Sequence, residues 1–322
     1  MPETPPPALL LVNLGTPAAA TAPAVRAYLR EFLTDRRVVQ IPHLLWKPLL
    51  DLLILPRRCP VVAGKYAEIW LQGRSPLLHH SLRLAEAVQA RLPRMRVQAA
   101  MRYGEPKLRA ALAQLAADGT REVRVLPLYP QYSTTTTASV EDVVAEARRA
   151  HPAMRIALLP DYHADAGWAA AVADSIRGHW AANGRGERLL LSFHGIPQRL
   201  VDAGDPYARQ CEASTTAIAA ALGIARGDIV LTYQSRFGRE RWLQPYTQAT
   251  LEQLARDGVR TLDVACPGFA VDCLETLEEI ALQNAQAFRA AGGQSLRYIP
   301  CLNAGDAHAD ALAALALAMP AA

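Results

Sequence analysis

Short apolar runs alternate along the chain with longer stretches of mixed polarity. Residues 9–13, 97–101, 123–128 and 155–159 have the length and the leucine or β-branched content of strands, and the segments between them place apolar residues at helical spacing. From residue 189 the series begins again, with runs at 189–193, 229–233, 262–265 and 296–299. Strands that alternate with helices predict parallel sheets covered by helices, so the expectation is an α/β chain of two similar four-stranded halves.

Local matches support the duplication. "LLLVNLGTP" at 9–17 and "LLLSFHGIP" at 189–197 share a leucine triplet, a glycine and a proline at the same spacing, and His194 falls where Leu14 stands. "LAADGTREVRVLPLYP" and "LARDGVRTLDVACPGF" both end a helix at Asp-Gly and run into a strand that leaves through proline. The expected boundary lies in the helical stretch around Trp168 to Trp180, which gives a domain over 1–165, a second over 166–306, and a final helix over 307–322 that packs back on the first. The first half carries an insertion at about 34–78. A ligand cleft is expected between the halves, at the carboxyl ends of the strands.

Composition narrows the classes. Of 322 residues, 51% are hydrophobic and 20% charged, the balance of a globular protein. A formal charge of +4 from 34 basic and 30 acidic residues, with no dense basic block, argues against a nucleic-acid partner. No signal peptide and no run of about 20 apolar residues is present, so a cytoplasmic protein is expected. Five scattered cysteines without a CxxC pair suggest reduced thiols. GxGxxG, GxxxxGK[ST] and GxSxG are all absent, which removes the usual support for dinucleotide, P-loop and α/β-hydrolase chemistry.

Candidate chemistry gathers at strand ends. His194 closes the strand of "LLLSFHGIP", either as a functional group at the cleft or as a cap on the next turn. In "CPGFAVDCLETLEEI", Glu275 and Glu279 lie four apart on one helix face with Asp272 a turn earlier; Asp272 and Glu275 also fit a capping box. A histidine facing carboxylates suits proton transfer or transient binding of a divalent metal. Tyr129 stands in "PLYPQYSTTTTAS", whose threonines also fit an ST-turn. Arg102 in "MRYGEP" is either a two-pronged carboxylate holder or a surface arginine.

Taken together, "LLLVNLGTP", "LYPQYSTTTTAS", "LSFHGIPQR", "GDPY", "TYQSRFGRERWLQPYT" and "CPGFAVDCLETLEE" resemble the motifs of ferrochelatases, in order over nearly the whole chain. The spelling CPGFxxDCLET, with Cys273 between the aspartate and the glutamate, is similar to that of proteobacterial members.

The resemblance implies two Rossmann-like domains enclosing a porphyrin cleft and insertion of Fe2+ into protoporphyrin IX, a lyase reaction that gives protoheme and two protons. It implies His194 and Glu275 as the central residues, accepting protons or touching the metal, with the choice between a pyrrole proton and the metal left open for His194. Asp272 and Glu279 then form the acidic helix face, and Leu14, Arg102 and Tyr129 contact the porphyrin. Some members continue the acidic face where this chain has Gln283. Members with a [2Fe-2S] cluster use a cysteine where Thr134 stands, together with a C-terminal extension, so iron is expected as substrate and no cluster or other cofactor. Insertion of Co2+, action on coproporphyrin III, and non-catalytic tetrapyrrole binding stay as alternatives. "HLLWKPLLDLLILP" reads as an apolar lip, either core or a surface for a flat ligand or the face of a membrane; the expected contact spans 44–56.

Overall fold

The computed structural model describes residues 5–320. Eight strands form in the eight expected places: β1 (Ala8–Gly15), β2 (Arg96–Tyr103), β3 (Glu122–Pro127), β4 (Arg155–Leu158), β5 (Arg188–His194), β6 (Ile229–Gln234), β7 (Thr261–Ala265) and β8 (Ser295–Ile299). They make two parallel four-stranded sheets, ordered β2-β1-β3-β4 and β6-β5-β7-β8. The two orders are one topology used twice.

Continuous apolar strands suit parallel sheets because helices cover both faces. Ala8, Leu10, Val12, Val123 and Val125 pack with Leu112 and Leu115 from helix Leu108–Ala117 and with Val140 and Val144 from helix Thr137–Ala150. In the second sheet Leu190, Leu262, Val264 and Leu296 meet Leu251, Ile280 and Phe288.

The repeat extends to hydrogen bonds. At the end of helix Leu108–Ala117 the Thr120 amide donates to Leu115 O at 2.9 Å, and at the end of helix Thr247–Arg256 the Val259 amide donates to Leu254 O at 3.0 Å. Gly119 (φ +81°) and Gly258 (φ +97°) take the left-handed step these closures require. Even the side-chain tie is copied, from Gln114 to Asp118 at 2.7 Å and from Gln253 to Asp257 at 2.8 Å.

The chain divides into two compact units: the residues up to Tyr129 with Ser133–Asp161 and those from Ala304 onward, and Pro130–Tyr132 with Tyr162–Asn303. The boundary thus falls ahead of helix Ala166–Asn183, not inside it. The reason is burial: Trp168 and Ile176 are sealed in the second unit's core, and the Tyr162 ring packs edge-on against Trp168. The last helix, Asp306–Ala318, belongs to the first unit, where Arg91 of helix Pro76–Arg91 binds both Asp306 and Asp310.

The apolar insertion folds as helix His43–Leu49, a π-helical turn Leu50–Ile54 and helix Leu55–Ile69. Trp46, Leu50 and Leu55 point inward, and the wider turn lets Leu50 and Leu55, five apart, share that inner face. Ile41, Leu44, Leu45, Leu49, Leu52 and Leu53 stay in solvent, Leu44 at 90% and Leu52 at 78% exposure. Among the described residues no helix is long and apolar enough to cross a membrane.

Candidate active site

In a parallel sheet all carboxyl ends open on one edge. In the second unit that edge carries His194 at the end of β5 and, beside it in register, Gln234 at the end of β6. From β7 the chain turns through Cys266, Pro267, Gly268 and Phe269 into a π-helix over Glu275–Asn284. Gly195 allows the close turn after His194: a Cβ there would lie 3.0 Å from Gln234 O and 3.2 Å from the Trp242 ring.

His194 is half-buried. Its Nδ1 lies 2.6 Å from Gly195 O. A carbonyl only accepts, so Nδ1 carries the proton in this bond, and the neutral form of the ring has its lone pair on Nε2. The ring has aromatic neighbours, Trp242 at 6.3 Å and Phe269 at 6.4 Å between centroids.

Glu279 is held by Ser235, whose amide donates to Oε1 at 2.7 Å and whose hydroxyl donates to Oε2. Ser235 presents both groups at once from a left-handed backbone, φ +66°. Burial pushes the Glu279 carboxyl above the ordinary glutamate range; the Ser235 donors and the charge of nearby His194 pull it back, and Glu275 pushes it up. Those influences place His194, Glu275 and Glu279 in one electrostatic neighbourhood. In the widened helix, Glu275 and Glu279 still share a face.

Asp272 departs from the expected acidic face. It is 4% exposed and turned into the protein, where its carboxylate accepts from Thr276 Oγ1 at 3.0 Å, Asn303 Nδ2 at 2.7 Å and the Tyr298 hydroxyl. The capping box is absent too, because the group answering Asp272 is Thr276 rather than Glu275, and Thr276 Oγ1 also receives the Cys273 amide. Gln283 donates to Glu278 at 2.6 Å, an i,i+5 pair of the π-helix.

The other expected residues lie in the first unit. Leu14 is the last residue but one of β1, half-buried, its amide held by Asn13 Oδ1 at 2.8 Å. Tyr129 follows β3 and packs on that unit's core. Arg102 is already engaged within that unit: Nε donates to Ser139 O at 2.9 Å and Nη2 binds Asp35 at 2.5 Å. Gln234, Ser235, Trp242 and Phe269 are the site residues that reading the sequence missed. The signal lay in "YQSRFGRERW", whose Gln234 comes beside His194 once the paired strands are aligned. Among the described residues no three His, Cys, Asp or Glu side chains are grouped so as to hold a metal ion.

Comparison with known proteins places these features in context. The family model described as Ferrochelatase matches residues 6–319. A ferrochelatase of Xanthomonas axonopodis pv. citri (strain 306) is 58% identical over 316 residues, 98% of this chain and 99% of the relative. One of Vibrio atlanticus (strain LGP32) is 49% identical over 308 residues, 95% of this chain and 96% of the relative. Among solved structures, the cobalt complex of the sirohydrochlorin chelatase from Bacillus subtilis subspecies spizizenii aligns with a TM-score of 0.57 at 11% identity, over 97% of this chain and 94% of that one. The terminal enzyme of siroheme biosynthesis in denitrifying bacteria aligns with a TM-score of 0.52 at 16% identity, over 95% and 96%. At such identities the structural likeness speaks for the fold alone.

Proposed function

The chain belongs to the ferrochelatase family, and from that premise we propose that it acts as a lyase inserting Fe2+ into protoporphyrin IX, with His194 as the base that takes the pyrrole protons. The observation that carries this role is the Nδ1–H bond to Gly195 O, which leaves Nε2 as the basic atom of a ring that has two aromatic neighbours. Trp242 and Phe269 suit the flat apolar macrocycle.

Iron, the substrate, arrives as a hydrated dication, and the ring must lose two N–H protons while the metal loses water. A neutral imidazole takes one proton at a time and has to be emptied between transfers. Glu279 suits that task, because burial raises its affinity for a proton while the Ser235 donors and a charged His194 lower it. Glu275, on the same helix face, adds a carboxylate that favours the approach of a cation. This reading includes no resident cluster, since Thr134 stands where cluster-bearing members use a cysteine.

The test is anaerobic insertion of Fe2+, with Zn2+ as surrogate, into protoporphyrin IX and coproporphyrin III, with Co2+ as competing metal. Saturable turnover with Fe2+ and protoporphyrin IX is expected; porphyrin binding without metalation would make the chain a carrier.

The exposed leucines supply a second proposal, a peripheral seat on a membrane surface. Leu44, Leu45, Leu49, Leu52 and Leu53 form an apolar ridge beside Lys47 and Arg57, a combination that favours an anionic bilayer face. Leu44→Asp with Leu52→Asp should weaken co-sedimentation with phosphatidylglycerol vesicles by at least about tenfold, because two leucines forgo about 3 kcal/mol or more of burial. Since both side chains are already in solvent, the melting temperature should not move. Unchanged vesicle binding would reject the membrane seat.

A further inference from the structure

The pairing of the strands gives an exact internal comparison of the two units. Asn13 pairs with Met101 and Gly15 with Tyr103 in the first; Phe193 pairs with Tyr233 and His194 with Gln234 in the second. With "LLLVNLGTP" laid on "LLLSFHGIP", Arg102 and Gln234 occupy the same position at the end of an edge strand.

Their side chains do the same thing. Arg102 Nε donates at 2.9 Å to Ser139 O, in the first turn of the helix that follows the third strand of its sheet, and the guanidinium also binds the Asp35 carboxylate. Gln234 Nε2 donates at 2.7 Å to Glu275 O, the first residue of the π-helix that follows the third strand of its own sheet, and lies 3.4 Å from the Glu279 carboxylate. Each is a clasp from strand end to helix start. One ends in a cation, the other in a neutral amide.

The Gln234 amide has no freedom to turn. It is 3% exposed, and its Oε1 accepts from Ser192 Oγ at 2.8 Å and from the Cys266 thiol at 3.6 Å. Rotating the amide by half a turn would set its oxygen against two acceptors, Glu275 O and the Glu279 carboxylate. Behind it runs a buried hydroxyl chain: Thr247 Oγ1 is 2.8 Å from Ser192 Oγ and 2.9 Å from Thr232 Oγ1, all at 1% exposure or less. Such chains hold a geometry well because every member is satisfied.

We propose that Gln234 is a positioning residue for metal insertion: anchored by Ser192, its amide sets the first turn of the π-helix and so the placement of Glu275 and Glu279 toward His194. Its neutrality is part of the function. A guanidinium there, as at Arg102, would hold Glu279 charged and repel an arriving dication.

The inference rests on the proton-transfer reading of the site, so the test separates the two. Gln234→Leu keeps the packing and removes the clasp; Ser192→Ala loosens it from behind and is the milder variant. Two quantities are measured: steady-state Zn2+ insertion, and the pH titration of the Glu279 carboxyl by its infrared band, assigned through its loss in Glu279→Gln. For Gln234→Leu, kcat should fall by about tenfold or more with the porphyrin KM within about twofold. Loss of a donor to the carboxylate should move the Glu279 titration and the acid limb of kcat to higher pH, with Ser192→Ala shifted the same way by less. Wild-type kcat and titration in both variants would overturn the proposal, as would a lowered melting temperature with the titration unmoved. An inactive wild type would end the chelatase reading, while the infrared titration would still decide whether Gln234 governs Glu279.

Discussion

His194→Ala should bind porphyrin within about threefold of the wild-type affinity and metalate it about a thousandfold more slowly, the range expected when a positioned base is lost. The two halves of that result have separate origins. Affinity is expected to persist because Trp242 and Phe269, the aromatic neighbours of the imidazole, are supplied by other segments and do not depend on it. Rate is lost because Nε2 is the lone pair left free by the bond from Nδ1 to Gly195 O. Porphyrin fluorescence quenching gives the first quantity, and anaerobic metal insertion followed in the visible absorption bands gives the second. Equal insertion rates would reduce His194 to a strand-end packing residue and move the chemistry to Glu275 and Glu279.

Asp272→Ala should act on stability. Thr276, Asn303 and Tyr298 all donate to this carboxylate, and deleting it strands buried donors at a cost of about 3 kcal/mol, or about 6–12 °C in melting temperature for a unit of this size. Scanning calorimetry measures the loss directly. The comparison with Asp272→Asn is informative, since a neutral carboxamide keeps one acceptor and should lose less. Should Asp272→Asn instead lower kcat at an unchanged melting temperature, Asp272 would return to the acidic face on which the sequence had placed it.

Much of this molecule is visible before it folds. Apolar runs bounded by glycine and proline located all eight strands, and the shared spelling around Leu14 and His194 exposed the duplication, because buried parallel strands leave little choice of residue. Spacing was less informative where two helical periods compete. Residues 275–284 fit four-residue steps well enough to hide the five-residue hydrogen bonding that pairs Gln283 with Glu278. The direction of Asp272 was hidden for another reason: its partners Tyr298 and Asn303 lie 26 and 31 residues away, and only the fold brings them near. The same holds for Gln234, 41 residues from Glu275. The apolar insertion was legible as apolar but not as to its side, since leucines surround the helix and a neighbour can cover only one stripe of them.

The copied helix ends and the copied strand order imply a history as well as a geometry. A pair of identical short chains must carry the same residue at each equivalent position, so any change at one takes effect at both. Two copies joined in one chain escape that constraint. Selection can then keep leucine and arginine at positions 14 and 102 and histidine and glutamine at 194 and 234, so that equivalent positions in the two copies take different tasks.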